Sequence, residues 1–488
     1  MEKGDEGLIR KILGYSTILL FGLVSFSILS QIPFYSNWDM ELITVIDMYR
    51  MTDDLTPQHI NHTGVGMYII LRLFWYLLPF PVKTMTDWIS LPNPLTALVD
   101  SVVQVRYLVI IPLVFSFSFL FKRIGSFIFL LSAITLPSIW GYPIQTLRTE
   151  IWVIMFYCGA FYFASKKNTK NELIVFTLAG LGFITKFQGL FLHAGILLIY
   201  FFHRPVEIWP SLPSKNVSRG VLYLFLLISF VSLVIKAPND LAIFSVLRAP
   251  NHFFFMALTT LVLPFINFPY LRLLSFSWWI TCGIMISFVC HFLLGLSFST
   301  SLKYLLFDWR MIFIRILDMN IAKTAVENIF LDSLLRHGLI LTVWILICAY
   351  NWNIFDRKKK IITSIYAILI FTSLKFVTRG GIQDAIWNDF LILFGFAFFD
   401  FNLKNRLPYL LNAVLLSNLL FLNKYLNSSW LIGYYDINRY WEEVYESPNV
   451  QYTEKMKNLS HMKDEINSNL IQKYPKKKPE LFQFKLNQ

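Results

Sequence analysis

Charge is scarce in this chain. Asp, Glu, Lys and Arg make up 15% of its 488 residues, against about 25% in a soluble domain. A water-soluble globule of this composition would have to display a large apolar surface. Cysteine is equally sparse: Cys158, Cys282, Cys290 and Cys348 all lie inside apolar runs, with no CxxC spacing. They read as ordinary lipid-buried thiols, without the spacing of a metal or redox centre. The first apolar segment has no small-residue cleavage site behind it, so it is read as a retained helix and not a signal peptide. The long apolar stretches do not alternate with polar residues, which argues against a membrane β-barrel. No internal repeat of the kind found in inverted-repeat transporters is evident.

What the chain has instead is apolar runs, rich in Phe. Hydrophobic residues are 56% of the sequence, mean hydropathy is +0.55, and there are 47 Phe and 14 Trp. Ile12–Ile32 is one uncharged run about the length of a bilayer crossing. Similar runs recur along the chain. Only helices satisfy their own backbone groups in lipid without closing into a barrel. The predicted fold class is therefore an all-α polytopic integral membrane protein.

The net charge of +13 raises nucleic acid as a partner, but its distribution argues otherwise. Lys122-Arg123, Lys166-Lys167, Arg204, Arg357–Lys360 and Lys404/Arg406 each occupy a short break between apolar runs. That is the positive-inside pattern of cytoplasmic loops, and no nucleic acid partner is predicted.

Lys3, Arg10 and Lys11 place the N-terminus inside. Lys122 must also be inside, so only one of the two apolar stretches between Phe34 and Lys122 crosses. Gly66–Phe80 is short and carries Arg72, Trp75 and two Tyr; it is assigned to the interface. Residues 34–106 then form one large outer loop. Further crossings are predicted near 107–121, 125–140, 148–165, 172–186, 188–203, 219–236, 252–268, 274–296, 338–352, 361–376, 388–402 and 408–422, about 13 transmembrane helices in all. Residues 1–422 make the membrane domain; 423–488 form a polar tail, placed outside by the count.

Three places on the outer side carry candidate chemistry. The first outer loop opens Asn37-Trp38-Asp39-Met40-Glu41, followed by Pro57-Gln58-His59-Ile60-Asn61-His62-Thr63-Gly64. A carboxylate just outside a membrane helix suits a general base at a sheltered interfacial site; a solvated loop acid is the plainer alternative. Thr146-Leu147-Arg148-Thr149-Glu150 sets an acid against an apolar run, where charge is costly and often functional. A helix N-terminus favouring an acid would explain it too. Lys186, in Thr185-Lys186-Phe187, is a cation on the outer side, against the positive-inside trend; Lys375 and Arg379 share that location. A bound phosphate would account for such cations, as would a snorkelling lysine.

The order of these features resembles the GT-C superfamily of membrane glycosyltransferases. It is most similar to the bacterial branch holding the aminoarabinose lipid A transferases and relatives of the protein O-mannosyltransferases. The resemblance covers roughly the first 200 residues. It runs from one helix to a long outer loop opening with acids, a His-containing segment and an interfacial helix. Then come a helix begun by Val-Arg, an Arg-x-Glu at the outer start of a crossing, and a Gly-Leu-x-x-x-Thr-Lys. The family's acidic pair is often Asp-Glu; here Met40 separates Asp39 from Glu41, so the resemblance leaves the base between those two. A His-Pro or similar pair is matched only by His62-Thr63-Gly64.

The resemblance implies transfer of a sugar, with inversion, from a polyprenyl (or dolichyl) phosphate donor. The acceptor would be a lipid, glycan or protein at the outer face of the membrane, a bacterial inner (plasma) membrane. Asp39, Glu41 and Glu150 are the implied catalytic residues, and His62, Arg148, Lys186 and Arg379 the implied donor-phosphate and substrate contacts. A divalent cation held by Asp39 and Glu150 is compatible with the resemblance. Two alternatives stay open: a flippase or transporter for a lipid-linked solute, and a polysaccharide polymerase or ligase. The latter is suggested by Arg310, Arg315 and Arg336 within 304–336.

Overall fold

The computed structural model describes residues 3–31, 39–53, 65–77, 79–92, 94–140, 147, 149–166, 172–186, 189–203, 339–377, 382–399 and 407–428. Every regular element among them is a helix. In chain order the described helices are α1 (Lys3–Gln31), α2 (Asp39–Thr52), α3 (Val65–Leu77), α4 (Met85–Ser90), α5 (Pro94–Tyr107), α6 (Ile110–Ile124), α7 (Phe127–Ile134) and α8 (Pro137–Trp140). They continue with α9 (Thr149–Ala164), α10 (Glu172–Thr185), α11 (Leu190–His203), α12 (Ile340–Asn351), α13 (Arg357–Val377), α14 (Ile382–Gly395) and α15 (Leu407–Ser428), with a 3₁₀ turn at Phe396–Phe398.

Among the described residues two stretches, Gly7–Ser30 and Asp100–Ile124, are long and apolar enough to cross a membrane. Gly66–Leu77, Thr149–Ala164, Phe191–Tyr200, Ile340–Asn351, Ile386–Phe398 and Tyr409–Leu420 are shorter apolar helices. The crossings predicted at 219–236, 252–268 and 274–296, the loop at 237–251, the arginine-bearing segment 304–336 and the tail beyond 428 lie outside the described residues.

Two expectations need correcting. Residues 125–140, predicted as one crossing, are two short helices with a break at Thr135 and Leu136. Pro137 has no N–H for the helical ladder, and its ring crowds the carbonyl one turn back. The Leu136 N–H bonds to Ala133 at 3.3 Å instead, and the Trp140 indole N–H takes the Ile134 carbonyl at 2.6 Å. The second correction is the end of the first outer loop. The apolar helical stretch begins at Asp100, not after Arg106, so Arg106 sits within it. Pro112 tightens the joint between α5 and α6: Leu108, Val109 and Ile111 donate to carbonyls three residues back.

α1 is apolar on both sides. Ile18, Phe21, Ile28 and Leu29 are buried, while Leu8, Ile12, Leu19 and Leu23 are exposed. Its inner face lies on α6, and Gly14 makes that approach possible, since a Cβ there would strike the Phe121 ring. α6, α9 and α10 form the central layer. α14 runs through the middle of the bundle between α8, α9, α11, α12 and α13. Its Phe390 and Phe394 pack against Phe117 and Phe161.

α2 and the helices that follow it fold back on the ends of this bundle. α2 is held by α3, α4 and α5. Tyr49 is the hub: its ring packs on Trp75 and Trp88, and its hydroxyl donates to Ser101 Oγ at 2.8 Å. Burial pushes the Tyr49 phenol up to about 12, with Asp100 adding to the shift and the Ser101 hydrogen bond opposing it. The stretch Gly66–Phe80, read as an interfacial helix, is helical as α3, three residues shorter at its C-terminal end; Phe80 stacks back on Trp75 beyond it.

Candidate functional site

Glu41 and Asp47 of the first loop are brought, with Arg106, to one end of the bundle. α2 begins at Asp39, so Glu41 stands in its first turn. Glu41 is fully buried and its Oε1 accepts from Arg106 Nε at 3.2 Å, with the arginine 1% exposed. The same oxygen accepts the Leu147 backbone N–H at 2.9 Å. One carboxylate thus ties the start of α2 to the end of α5 and to the residues just before α9. Separated in sequence by 65 and 106 positions, these partners converge only in the fold.

Glu150 lies in the first turn of α9 and pairs with Lys186, directly after α10. The two side chains are 3% and 19% exposed, so the lysine is the open member of the pair. Thr149 Oγ1 donates to the other Glu150 oxygen at 3.3 Å. An acid at a helix start is favoured by the helix dipole, and the lysine supplies the opposite charge that a buried carboxylate requires.

A third buried acid closes the cluster. Asp47, two turns along α2 from Glu41, accepts from the Tyr68 hydroxyl at 2.7 Å. Tyr68 belongs to α3, whose Gly66 abuts α10: a Cβ at Gly66 would collide with Thr185 Oγ1. Thr185 in turn precedes Lys186. Taken with the short chain segments between them, these contacts form a circuit: Glu41 meets Arg106 and Leu147, Glu150 meets Lys186, Gly66 abuts Thr185, and Tyr68 meets Asp47. The circuit holds three carboxylates, two cations and a phenol.

Of the predicted site residues, Glu41, Glu150 and Lys186 are brought to this end of the bundle. Asp39 is the first residue of α2, one turn or less from Glu41; its side chain is outside the described residues. His62, Arg148 and Arg379 are outside them as well. Sequence reasoning missed Arg106, Asp47 and Tyr68. An arginine inside an apolar helical stretch was the available signal for the first; an acid in a helix with apolar neighbours on both sides was the signal for the second.

Of the two acids read as possible ligands of a divalent cation, Asp39 has its side chain outside the described residues. Glu150 already carries the Lys186 ammonium, and among the described residues no three His, Cys, Asp or Glu side chains gather into a ligand set. No step is therefore assigned to a metal.

A second polar cluster lies deeper. Asp389, halfway along α14 and fully buried, accepts from Ser138 of α8, beside the break at Pro137. Asn388 pairs with Ser373 of α13.

No family model, curated protein or solved structure matches the chain.

Proposed function

We propose that the protein is a multi-pass membrane glycosyltransferase that takes its sugar from a lipid-linked phosphate donor. The observation that carries this reading is the buried acid–base circuit joining the loop behind α1 to the start of α9 and the end of α10. Membrane placement is supported by the exposed apolar face of α1 and by Tyr409, Leu416 and Leu420 on α15. A soluble monomer rarely leaves contiguous apolar surface of that kind uncovered.

In this reaction the acceptor hydroxyl oxygen attacks the anomeric carbon. The bond from that carbon to the phosphate oxygen breaks, and the lipid phosphate leaves with the electron pair. Asp39 takes the hydroxyl proton. Glu41 is spent on Arg106 and the Leu147 N–H, so its part is to fix the first turn of α2 and hence the position of Asp39. Lys186 offers three N–H donors. One faces Glu150, and the others are available to the departing phosphate, whose charge a sheltered site stabilises well.

The test is transfer by the reconstituted full chain, using a labelled polyprenyl-phosphate sugar. Asp39→Asn is expected to lower the rate by about 10²–10⁴-fold while donor binding persists. Undiminished transfer by that variant would remove Asp39 from the mechanism. Lys186→Ala should weaken donor binding, and unchanged affinity would dismiss its role.

Asp389 favours a second reading, a transporter of a lipid-linked solute. A buried acid beside an interrupted helix is the arrangement in which transporters hold coupling ions. If Asp389→Asn abolished solute exchange across vesicles and spared sugar transfer, that reading would prevail.

A further inference from the structure

The opposite end of the bundle carries a different kind of charged surface. α6, α9 and α11 all end there, and α13 begins there: Arg123 bonds Ser165 at the close of α9, and Lys358 Nζ donates to the Phe202 carbonyl at the close of α11 at 3.1 Å. The segment Asp356–Lys360 sets four cations against one acid. That acid is occupied at the helix start, where Asp356 Oδ1 accepts the Lys359 N–H at 2.6 Å.

The lysines spread over aromatic rings. Lys359 Nζ stands 5.0 Å from the Phe355 ring and 5.6 Å from the Phe202 ring; Lys360 Nζ stands 5.9 Å from Trp352. Local helix electrostatics do not explain them, because cations in a first turn oppose the helix dipole. Apolar side chains continue outward from the patch. Ile354 is 76% exposed, and Trp352 just after α12 and Tyr350 and Leu346 on it are exposed as well. Cations, a ring of indole and phenyl groups, and then open aliphatic surface follow one another in the order of a phospholipid's headgroup, interface and acyl chain.

We propose that this surface, centred on Lys358, Lys359, Lys360 and Trp352, binds the headgroup of an anionic phospholipid of the inner leaflet, with the acyl chains along α12. The inference rests on the membrane placement proposed above and not on glycosyl transfer. Charge complementarity selects the lipid class: each lysine near an anionic surface contributes about 1 kcal/mol, or roughly fivefold in affinity.

The experiment uses the full chain purified in mild detergent, with phosphatidylglycerol and phosphatidylcholine titrated separately and bound lipid counted by native mass spectrometry. The wild type should prefer phosphatidylglycerol. The triple variant Lys358→Gln, Lys359→Gln, Lys360→Gln should lose that preference by roughly 100-fold, and the corresponding triple Arg variant should keep it. Should the Gln triple fail to fold, Lys360→Gln alone is expected to lose about fivefold. Equal binding of both lipids by the wild type, or full retention by the Gln variants, overturns the proposal. So does displacement by inorganic phosphate at matched ionic strength, which would mean a free anion site, or displacement by a polyglutamate peptide, which would mean an acidic protein partner. Because sugar transfer is not the readout, failure here leaves the enzymatic reading untouched, and failure of the Asp39 test leaves this one.

Discussion

The two ends of the helical bundle use the same residue types in opposite ways. At the end where α2 packs, two buried or half-buried cations face carboxylates: Arg106 with Glu41, Lys186 with Glu150. At the other end, Lys122, Lys358 and Arg357 are exposed, Lys359 and Lys360 are half-buried, and the lysines lie over rings of Tyr162, Phe202, Phe355 and Trp352. A charge taken out of water needs a partner within the protein, and removing one partner leaves the full desolvation cost of the other. A charge left at the surface keeps its water and contributes little to the fold. The first end should therefore fail when a single charge is deleted, and the second should not.

The largest expected effect is at Arg106. Arg106→Ala leaves Glu41 buried beside an empty space and should destabilise the protein by about 3–5 kcal/mol, read as the unfolding midpoint in detergent. Arg106→Met combined with Glu41→Gln removes both charges and keeps an acceptor for the Leu147 N–H, so it should recover most of that loss. If Arg106→Ala unfolds like wild type, the buried end is not held by its ion pairs.

Tyr49 makes a prediction for alkaline pH. Its folded value, about 12, lies above the ordinary phenol value of 10.0 because burial disfavours the phenolate. The sign follows from that: its contribution is complete below pH 10 and is lost as pH rises toward 12. Wild-type stability should fall across that window by about 2–3 kcal/mol from this group. Tyr49→Phe should flatten that part of the fall, at a cost at neutral pH of about 1 kcal/mol for the Ser101 hydrogen bond. An unchanged alkaline profile in the variant would show that Tyr49 is not the buried phenol responsible.

A smaller effect is expected where α3 meets α10. Gly66→Ala places a methyl against Thr185 Oγ1, which donates to the Leu181 carbonyl at 2.6 Å. Overpacking of this kind costs about 1–3 kcal/mol. Thr185→Ala removes the opposing atom, so the double variant should be more stable than the sum of the single changes predicts. Strict additivity would mean that α3 does not press on α10.

Much of the bundle was legible because it follows from local pattern. The predicted 148–165, 172–186, 188–203, 338–352, 361–376 and 408–422 each contain or overlap one described helix, α9 to α13 and α15. Basic breaks between apolar runs correctly gathered Lys122, Lys166 and Arg357–Lys360 at one end. The break at Pro137 was visible in the sequence, since proline inside an apolar run interrupts the ladder, yet hydropathy alone carried the helix across it. The pairing at the other end could not be read at all. Nothing near Glu41 announces Arg106, and nothing near Ser138 announces Asp389. Side-chain partners far apart in the chain are fixed by packing, which periodicity does not encode. The placement of Glu150 beside Lys186 was within reach only as two separate anomalies, an acid and a lysine at apolar helix ends, each proposed for another role.

The smallest expected effect completes the contrast. Lys122 and Lys166 converge on one ring, with their Nζ atoms 5.3 and 4.1 Å from the Tyr162 centroid. Two like charges over a single ring repel each other, which offsets what either gains from the π face. Both also lie at the bundle end where water can replace the ring. The double variant Lys122→Gln, Lys166→Gln should therefore melt within about 1 °C of wild type. Its orientation should also persist, because Arg123 and Lys167 remain in the same breaks and the positive-inside bias is a sum over loops. A reporter fused after position 122 should read the inner side in both proteins. A drop of about 5 °C or more would make these lysines structural ties of the same rank as Arg106, and the distinction between a charge-paired end and a charge-exposed end would not hold.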